Sequence, residues 1–386
     1  MDGREKQLLK QIKELHSQIL KDSKDSLQRA IKLGGILNSY KETVGHGHFV
    51  EWVNTSLPFS ERSSRNYMSL FRHKDRIQEQ KITSLLQAYK LISNWHNYNT
   101  TVKRQEMKER RKEFANGDAK FPNPHSYVDK IVCGDCISVM DKMVKKGMSG
   151  QYSAVITSPP YNAGFDYGKY YDDSKPYTEY IDFLLKPFPY YLDLLRSGGR
   201  IIYVIGSMVN NIQREENGDY NFQLITDLTY RVREQFKQIK HYNNVIWDKG
   251  GKGRTPLNTK FGTYCSPLAP VCRSCHEHIL IWSKERFELE NESGQAPDIY
   301  EEEFKNWSWS VWKLEPFTYH KNPHPCSFSH KLISRLIKMY TYPGDMVLDS
   351  FCGAGITGQV AKKLGRKFTL IDINPNYCKY ALQKLK

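Results

Sequence analysis

Ser158, Pro159, Pro160 and Tyr161 stand together where a strand must end. The preceding run, Tyr152-Ser153-Ala154-Val155-Ile156, predicts a buried strand of a parallel sheet. Paired prolines fix φ and lack N–H groups, so neither a helix nor a ladder can continue through them. The chain therefore leaves the strand as a stiff loop at its carboxyl end, the edge where open α/β sheets bind ligands. That loop presents a hydroxyl, rigid carbonyl acceptors and an aromatic face. A planar ring carrying an NH2 group needs those parts: acceptors for its hydrogens and a surface to stack on. An ordinary proline-rich turn is the alternative reading of the same four residues.

A second stretch supplies a partner. Asp345-Met346-Val347-Leu348-Asp349 predicts an apolar strand that runs into the glycine-rich turn Ser350-Phe351-Cys352-Gly353-Ala354-Gly355-Ile356-Thr357-Gly358, with a helix over 359–364. Glycine lets the backbone approach a ligand closely, and the following helix N-terminus offers free N–H groups. Phe368-Thr369-Leu370-Ile371-Asp372 then predicts a short strand ending in a carboxylate, placed to hold both hydroxyls of a ribose. The third glycine of the dinucleotide fingerprint is missing at its usual spacing.

Taken together, Ser158-Pro159-Pro160-Tyr161 and Phe351-Cys352-Gly353-Ala354-Gly355 resemble the amino-group DNA methyltransferases that use S-adenosylmethionine. In that family an F-x-G-x-G loop holds the methionine part of the cofactor, and a D/N/S-P-P-Y/F/W loop holds the flipped base. The base loop comes first here, which is similar to the permuted subclass called beta. Asn322-Pro323-His324-Pro325-Cys326-Ser327-Phe328 resembles the motif that closes over the methionine moiety. Ile131-Val132-Cys133-Gly134-Asp135-Cys136 resembles the strand whose acidic end approaches the cofactor adenine. The stretches 195–204, 245–250 and 276–282 also have counterparts, so the resemblance covers about residues 127–386.

The resemblance implies an α/β fold: a Rossmann-like methyltransferase sheet, mainly parallel, of seven strands in permuted order, preceded by a helical N-terminal domain. It implies S-adenosylmethionine as cofactor, held by Phe351, Gly353, Gly355, Thr357, Asp372, Asp135, Cys136, Pro325 and Phe328. Double-stranded DNA is the implied substrate. A cognate restriction endonuclease and a homodimer are left open.

The whole chain is consistent with such a partner. Lysine and arginine total 57 against 42 acidic residues, a net charge of +15 over 386 residues. A surplus of this size attracts polyanions, and nucleic acid is the natural one; charge that serves solubility alone is the plainer alternative. No apolar run approaches the roughly 18 residues of a spanning helix, and the N-terminus is charged rather than signal-like. A cytoplasmic location is expected. Eight cysteines in a chain of this length are expected to be reduced thiols.

Along the N-terminal part, Leu8, Ile12, Leu15 and Ile19 predict a short amphipathic helix. Residues 49–72 predict a helix, a turn at Pro58 and a second helix capped by Ser60. Tyr67, Leu70 and Phe71 would face a core, and Arg62 and Arg65, near the start of the second helix, are the candidate DNA contacts. That pattern suits a helix-turn-helix laid against DNA, or equally a plain helical hairpin used for packing. Residues 1–98 are expected to form this helical accessory domain, 99–126 a charged linker broken by Pro122 and Pro124, and 127–386 the methyltransferase domain. Residues 1–120 hold 23 basic against 14 acidic side chains, so most of the surplus lies there.

After the linker, strands are expected at 130–133, 154–156, 200–205, 242–247, 278–282, 346–348 and 368–371. Residues 249–315 fall where beta-type members carry target-recognition elements. Within them, Lys249, Lys252 and Arg254 sit in a glycine-rich run suited to gripping phosphate, with a solvated loop as the alternative. Cys272 and Cys275 with His276 and His278 hint at zinc, yet no second C-x-x-C pair completes a site, and no metal is assigned. Pro325-Cys326 falls in the cofactor-lid motif, so a covalent cysteine mechanism is rejected.

The expected reaction is direct. Ser158 Oγ and the Pro159 carbonyl would accept the two amine hydrogens of a flipped base stacked on Tyr161, freeing the nitrogen lone pair for methyl transfer. Serine rather than aspartate at position 158 resembles the cytosine-N4 enzymes more than the adenine-N6 ones, and adenine N6 is the alternative target. A non-catalytic DNA-binding regulator with a degenerate methylase fold is the reading from another class.

Overall fold

A computed structural model describes residues 3–21, 25–44, 46–206, 223–249, 265–268, 275–315 and 323–386. Lys252, Arg254, Cys272 and Asn322 lie outside these residues. Two compact units divide between Lys108 and Glu109.

The N-terminal unit is helical: α1 (Gly3–Lys21), α2 (Ser26–Val44), α3 (His46–Ser56), α4 (Glu61–Arg72), α5 (Lys74–Glu79) and the first part of α6 (Leu85–Asn116). Leu9, Ile12 and Ile19 of α1 join Leu27, Ala30, Leu33 and Leu37 of α2 in one core. The two helix faces therefore cover each other, as the spacing of four and three requires. Helix α2 also packs on α4. Gly34 makes the close approach feasible, because a Cβ there would lie 1.9 Å from the Tyr67 carbonyl oxygen. Ser60 caps α4, its side chain accepting from the Ser63 amide at 3.2 Å. Tyr67 and Leu70 are buried, while Arg62 and Arg65 are exposed. The stretch expected as a charged linker is helical as far as Asn116. Its alternating lysine, arginine and glutamate residues are good helix formers, and the helix ends where Gly117 follows Asn116, short of the prolines.

The C-terminal unit is built on a mixed sheet of eight strands in the order β1-β8-β7-β2-β3-β5-β4-β6. The strands are β1 (Lys130–Cys133), β2 (Tyr152–Thr157), β3 (Leu195–Ile205), β4 (Ile239–Asp248), β5 (His276–Lys284), β6 (Val311–Lys313), β7 (Met346–Asp349) and β8 (Lys367–Asp372). All seven expected strands are present. The eighth, β6, is three residues long and was hidden by its brevity; it pairs parallel to β4 and seats Trp312 in the core. Only β5 runs antiparallel to its neighbours.

Helices α7 (Cys136–Lys145), α8 (Tyr177–Leu185), α9 (Phe188–Leu194) and α10 (Leu224–Gln235) contribute to the core on one face. On the other lie α12 (His330–Tyr340), α13 (Ile356–Lys363) and α14 (Pro375–Leu385). A short α11 (Glu301–Trp307) precedes β6. Along β3, Ile201, Tyr203 and Ile205 enter the first core, and Ile202 and Val204 the second, as the two-residue strand period dictates. Helix α12 shows what holds such elements. It is 11 residues long and alone would be marginal in water, but Leu332, Ile333, Leu336 and Ile337 are fully buried. At roughly 1.5–3 kcal/mol each, burial rather than helix propensity decides its formation. Among the described residues no helix is long and apolar enough to cross a membrane.

Candidate active site

Strands β2 and β7 are parallel neighbours, with Ala154 opposite Val347 and Val155 opposite Leu348. Their carboxyl ends therefore emerge side by side. The Ser158–Tyr161 loop leaves the first and the Phe351–Gly355 loop leaves the second. Both line one pocket, together with Asp135, Cys136, Phe328 and Asp372.

A buried carboxylate ties the two loops. Asp349 Oδ1 accepts from Thr157 Oγ1 at 2.7 Å and from the Phe351 amide at 3.2 Å, and Oδ2 accepts from Thr357 Oγ1 at 2.6 Å. Burial raises the Asp349 carboxyl to about 6, although these three donors pull it the other way. Thr357 is thus a support beneath the loop. It does not line the pocket, contrary to expectation, because its side chain is directed to Asp349.

The glycine turn is shaped by its neighbours. Gly353 has φ +49° and would place a Cβ 2.7 Å from His324 Nε2. Gly355 has φ +74° and backs onto Ala381, where a Cβ would fall 2.6 Å from that methyl. It serves close packing of α13 on α14 and does not line the pocket, a second departure from expectation. Pro325 is the third: His324 Nδ1 lies 2.6 Å from the Cys326 carbonyl, and this turn presents His324 and Cys326 to the pocket in its place.

Asp372 accepts from the Gly353 amide at 2.8 Å and from the Asn374 amide at 2.8 Å, one to each oxygen. Each oxygen keeps a lone pair for a ligand. Burial raises this carboxyl too, to about 6. Asp135 is exposed, and its Oδ1 caps α7 by accepting from the Ser138 amide at 3.0 Å. Tyr377 is 2% exposed and lines the pocket, yet its hydroxyl has no hydrogen-bond partner among the described residues. Burial pushes the His324 imidazole down to about 4, so it is neutral near pH 7.

On the other side Ser158 Oγ donates to Tyr161 Oη at 3.2 Å. The Tyr161 hydroxyl lies 3.0 Å from Glu277 Oε2 and 3.2 Å from the Val204 carbonyl. Glu277 in turn pairs with Lys249, whose ammonium also sits over the Trp247 ring at 4.5 Å. Lys249, expected to grip phosphate, is instead turned into the pocket, because a buried carboxylate needs a partner. Cys275 is exposed just before β5, and among the described residues no cluster of three candidate ligands could hold a metal ion.

Several lining residues were not anticipated: Tyr167, Tyr171, Phe183, Trp247 and Glu277. Asp173 orders the loop that carries the first two, accepting from the amides of Asn162, Ala163 and Phe165 at 2.8, 3.0 and 3.0 Å. The aromatic density of 165–171 was a signal open to use.

The model of the DNA methylase family matches residues 152–383, and the family described as protein of unknown function DUF3102 matches 7–116. This chain belongs to the DNA methylase family. It is 25% identical over 269 residues to the Type II methyltransferase M.BamHI of Bacillus amyloliquefaciens, a match covering 68% of this chain and 59% of that one. It is 26% identical over 266 residues to M.HpaI of Haemophilus parainfluenzae, covering 66% and 74%. The fold is shared with a putative DNA modification methylase of Thermus thermophilus, solved with S-adenosyl-L-methionine, at 24% identity and a TM-score of 0.50 over 66% of this chain and 92% of that one.

Proposed function

We propose that this methylase transfers a methyl group from S-adenosylmethionine to the exocyclic amine of a base flipped out of double-stranded DNA. The observation that carries the reading is the single pocket shared by Ser158 and the Gly353 turn. The cofactor fits what is there. A glycine turn pressed by His324 lets a ligand meet backbone, Asp372 retains free lone pairs, and the orphaned Tyr377 hydroxyl lacks a polar partner among the described residues. Phe351, Gly353, Asp372, Asp135, Cys136 and Phe328 would hold it, with Tyr377 and His324 added. When bound it supplies an electrophilic sulfonium methyl.

The chain's own residues act on the amine. Base nitrogens of this kind are poor nucleophiles, because the lone pair is delocalised into the ring. Ser158 Oγ and the Pro159 carbonyl accept the N–H groups and favour the tetrahedral nitrogen, while Pro160 stiffens the loop that carries them. Tyr161 and its aromatic neighbours exclude water and stack on the base. No covalent enzyme intermediate is needed.

Cytosine N4 is the favoured target and adenine N6 the second reading, because Ser158 stands where aspartate is the other option and both bases offer the same NH2 group. The intact Ser158 and glycine turn speak against a regulator without catalysis. The Type II relatives support a place in a restriction-modification system, and a cytoplasmic setting with a cognate endonuclease is proposed with it. On the helical unit, exposed Arg62 and Arg65 would meet DNA phosphate.

Incubating the protein with DNA and a donor labelled in its methyl group tests the reading. Label should enter DNA, and nucleoside mass spectrometry should show N4-methylcytosine. The Ser158→Ala variant should transfer slowly while still binding the donor. Full turnover by Ser158→Ala would remove the assigned role.

A further inference from the structure

Serine is ambiguous toward an amine, since its hydroxyl can donate as well as accept. Only the accepting orientation helps here. A Ser158 proton aimed at the NH2 group would oppose two like dipoles and leave one amine hydrogen without an acceptor, since the Pro159 carbonyl serves only the other. The surroundings of Tyr161 resolve the ambiguity.

Tyr161 Oη has three neighbours: Glu277 Oε2 at 3.0 Å, the Val204 carbonyl at 3.2 Å and Ser158 Oγ at 3.2 Å. The first two can only accept, so they claim the single phenolic proton. Oη is left as an acceptor, and of these three neighbours only the Ser158 hydroxyl can donate to it. Burial and the Glu277 charge push the phenol well above its usual value, so the proton stays on Tyr161 across any working pH. Lys249 occupies the other oxygen of Glu277 and balances its charge. At 9% exposure, Glu277 sits on β5, away in sequence from either loop.

We infer that the Tyr161 hydroxyl, anchored by Glu277 and the Val204 carbonyl, is a positioning group that draws the Ser158 proton to itself and presents Ser158 to the base amine as an acceptor only. Its role goes beyond stacking, which the ring performs without the oxygen. The inference rests on the proposed role of Ser158 in amine recognition.

Single-turnover methyl transfer from saturating donor to a DNA substrate tests it, with donor affinity measured alongside by calorimetry. Tyr161→Phe keeps the ring and deletes the oxygen. The rate should fall roughly ten- to hundredfold, the scale of one misdirected polar contact, with donor affinity unchanged. Tyr161→Phe combined with Ser158→Ala should be no slower than Ser158→Ala alone, because both act through one hydroxyl. Glu277→Gln leaves Val204 as the remaining strong acceptor, so its rate should fall between wild type and Tyr161→Phe. A Tyr161→Phe enzyme at the wild-type rate, or a double variant showing the two losses multiplied, overturns the inference. A Glu277→Gln enzyme at the wild-type rate removes Glu277 from it. These outcomes are separable from failure of the underlying reading, in which Ser158→Ala itself would keep full rate.

Discussion

Thr157 at the end of β2 donates its hydroxyl to Asp349 at the end of β7, 2.7 Å away and fully buried. Through that bond, and the second from Thr357, the base loop and the cofactor loop share one acceptor. Asp349→Ala strips the acceptor from the two buried threonine hydroxyls, each costing about 1–3 kcal/mol when left unpaired, and from the part-buried Phe351 amide. The melting temperature should drop by many degrees, and donor affinity should fall with it. A calorimetric scan showing wild-type melting would mean the knot holds nothing.

The strands and both loops were legible from the sequence because burial there writes long apolar runs, and proline or glycine punctuates them. Ser158, Phe351 and Asp372 came with the loops. Glu277 did not. It lies on a strand whose pattern announces only burial, and its meaning depends on β5 pairing antiparallel with β3, which sets it just beyond the Ile205–His278 pair, where Tyr161 reaches it. Strand β6 escaped for a related reason: three residues carry too little periodicity to stand out. Thr357 was expected as a ligand contact; the motif gives its spacing but not that its side chain is directed to Asp349. Lys249 was expected on phosphate, and a basic glycine-rich run gives no sign of the carboxylate of Glu277 that it pairs with.

Gly353 is the position where a single methyl should weaken donor binding without touching the base loop. Its φ of +49° is unfavourable for alanine, and the added carbon would meet the His324 ring at 2.7 Å. That ring is packed against Tyr167 and Tyr377, so it has little room to give. Gly353→Ala should weaken donor binding at least about tenfold, through about 1–3 kcal/mol of strain and displaced backbone. Equilibrium binding of the donor to the purified variant measures it, and unaltered affinity would show that the turn does not meet the ligand.

Donor affinity should depend on pH through Asp372. Its carboxyl is raised to about 6 in the free protein, and only the ionised form offers lone pairs to ribose hydroxyls on both oxygens. Binding therefore favours the deprotonated state. Affinity should be level above about pH 7 and should decline as pH falls through 6, approaching tenfold per unit below it. His324, held down at about 4, stays neutral through that window and does not contribute. Asp349 titrates in the same range, so the control is Asp372→Asn, which should bind more weakly at neutral pH and lose most of the dependence. A variant retaining the full pH profile would move the effect to Asp349.

The helical unit makes its own prediction. Arg62 and Arg65 are exposed on α4, one turn apart, and Arg65 is only lightly engaged by Glu61 across a solvent-exposed pair. If they contact DNA phosphates, replacing both with alanine should weaken DNA binding evenly across sequences. The slope of log affinity against log salt should then become shallower by nearly two, at about 0.9 per phosphate contact. Neither residue belongs to the core of its unit, so melting should change little, and donor binding not at all. Fluorescence anisotropy with labelled duplexes over a salt series reads both quantities. An unchanged slope would assign α3 and α4 to packing alone, the helical hairpin that the same residues could equally encode.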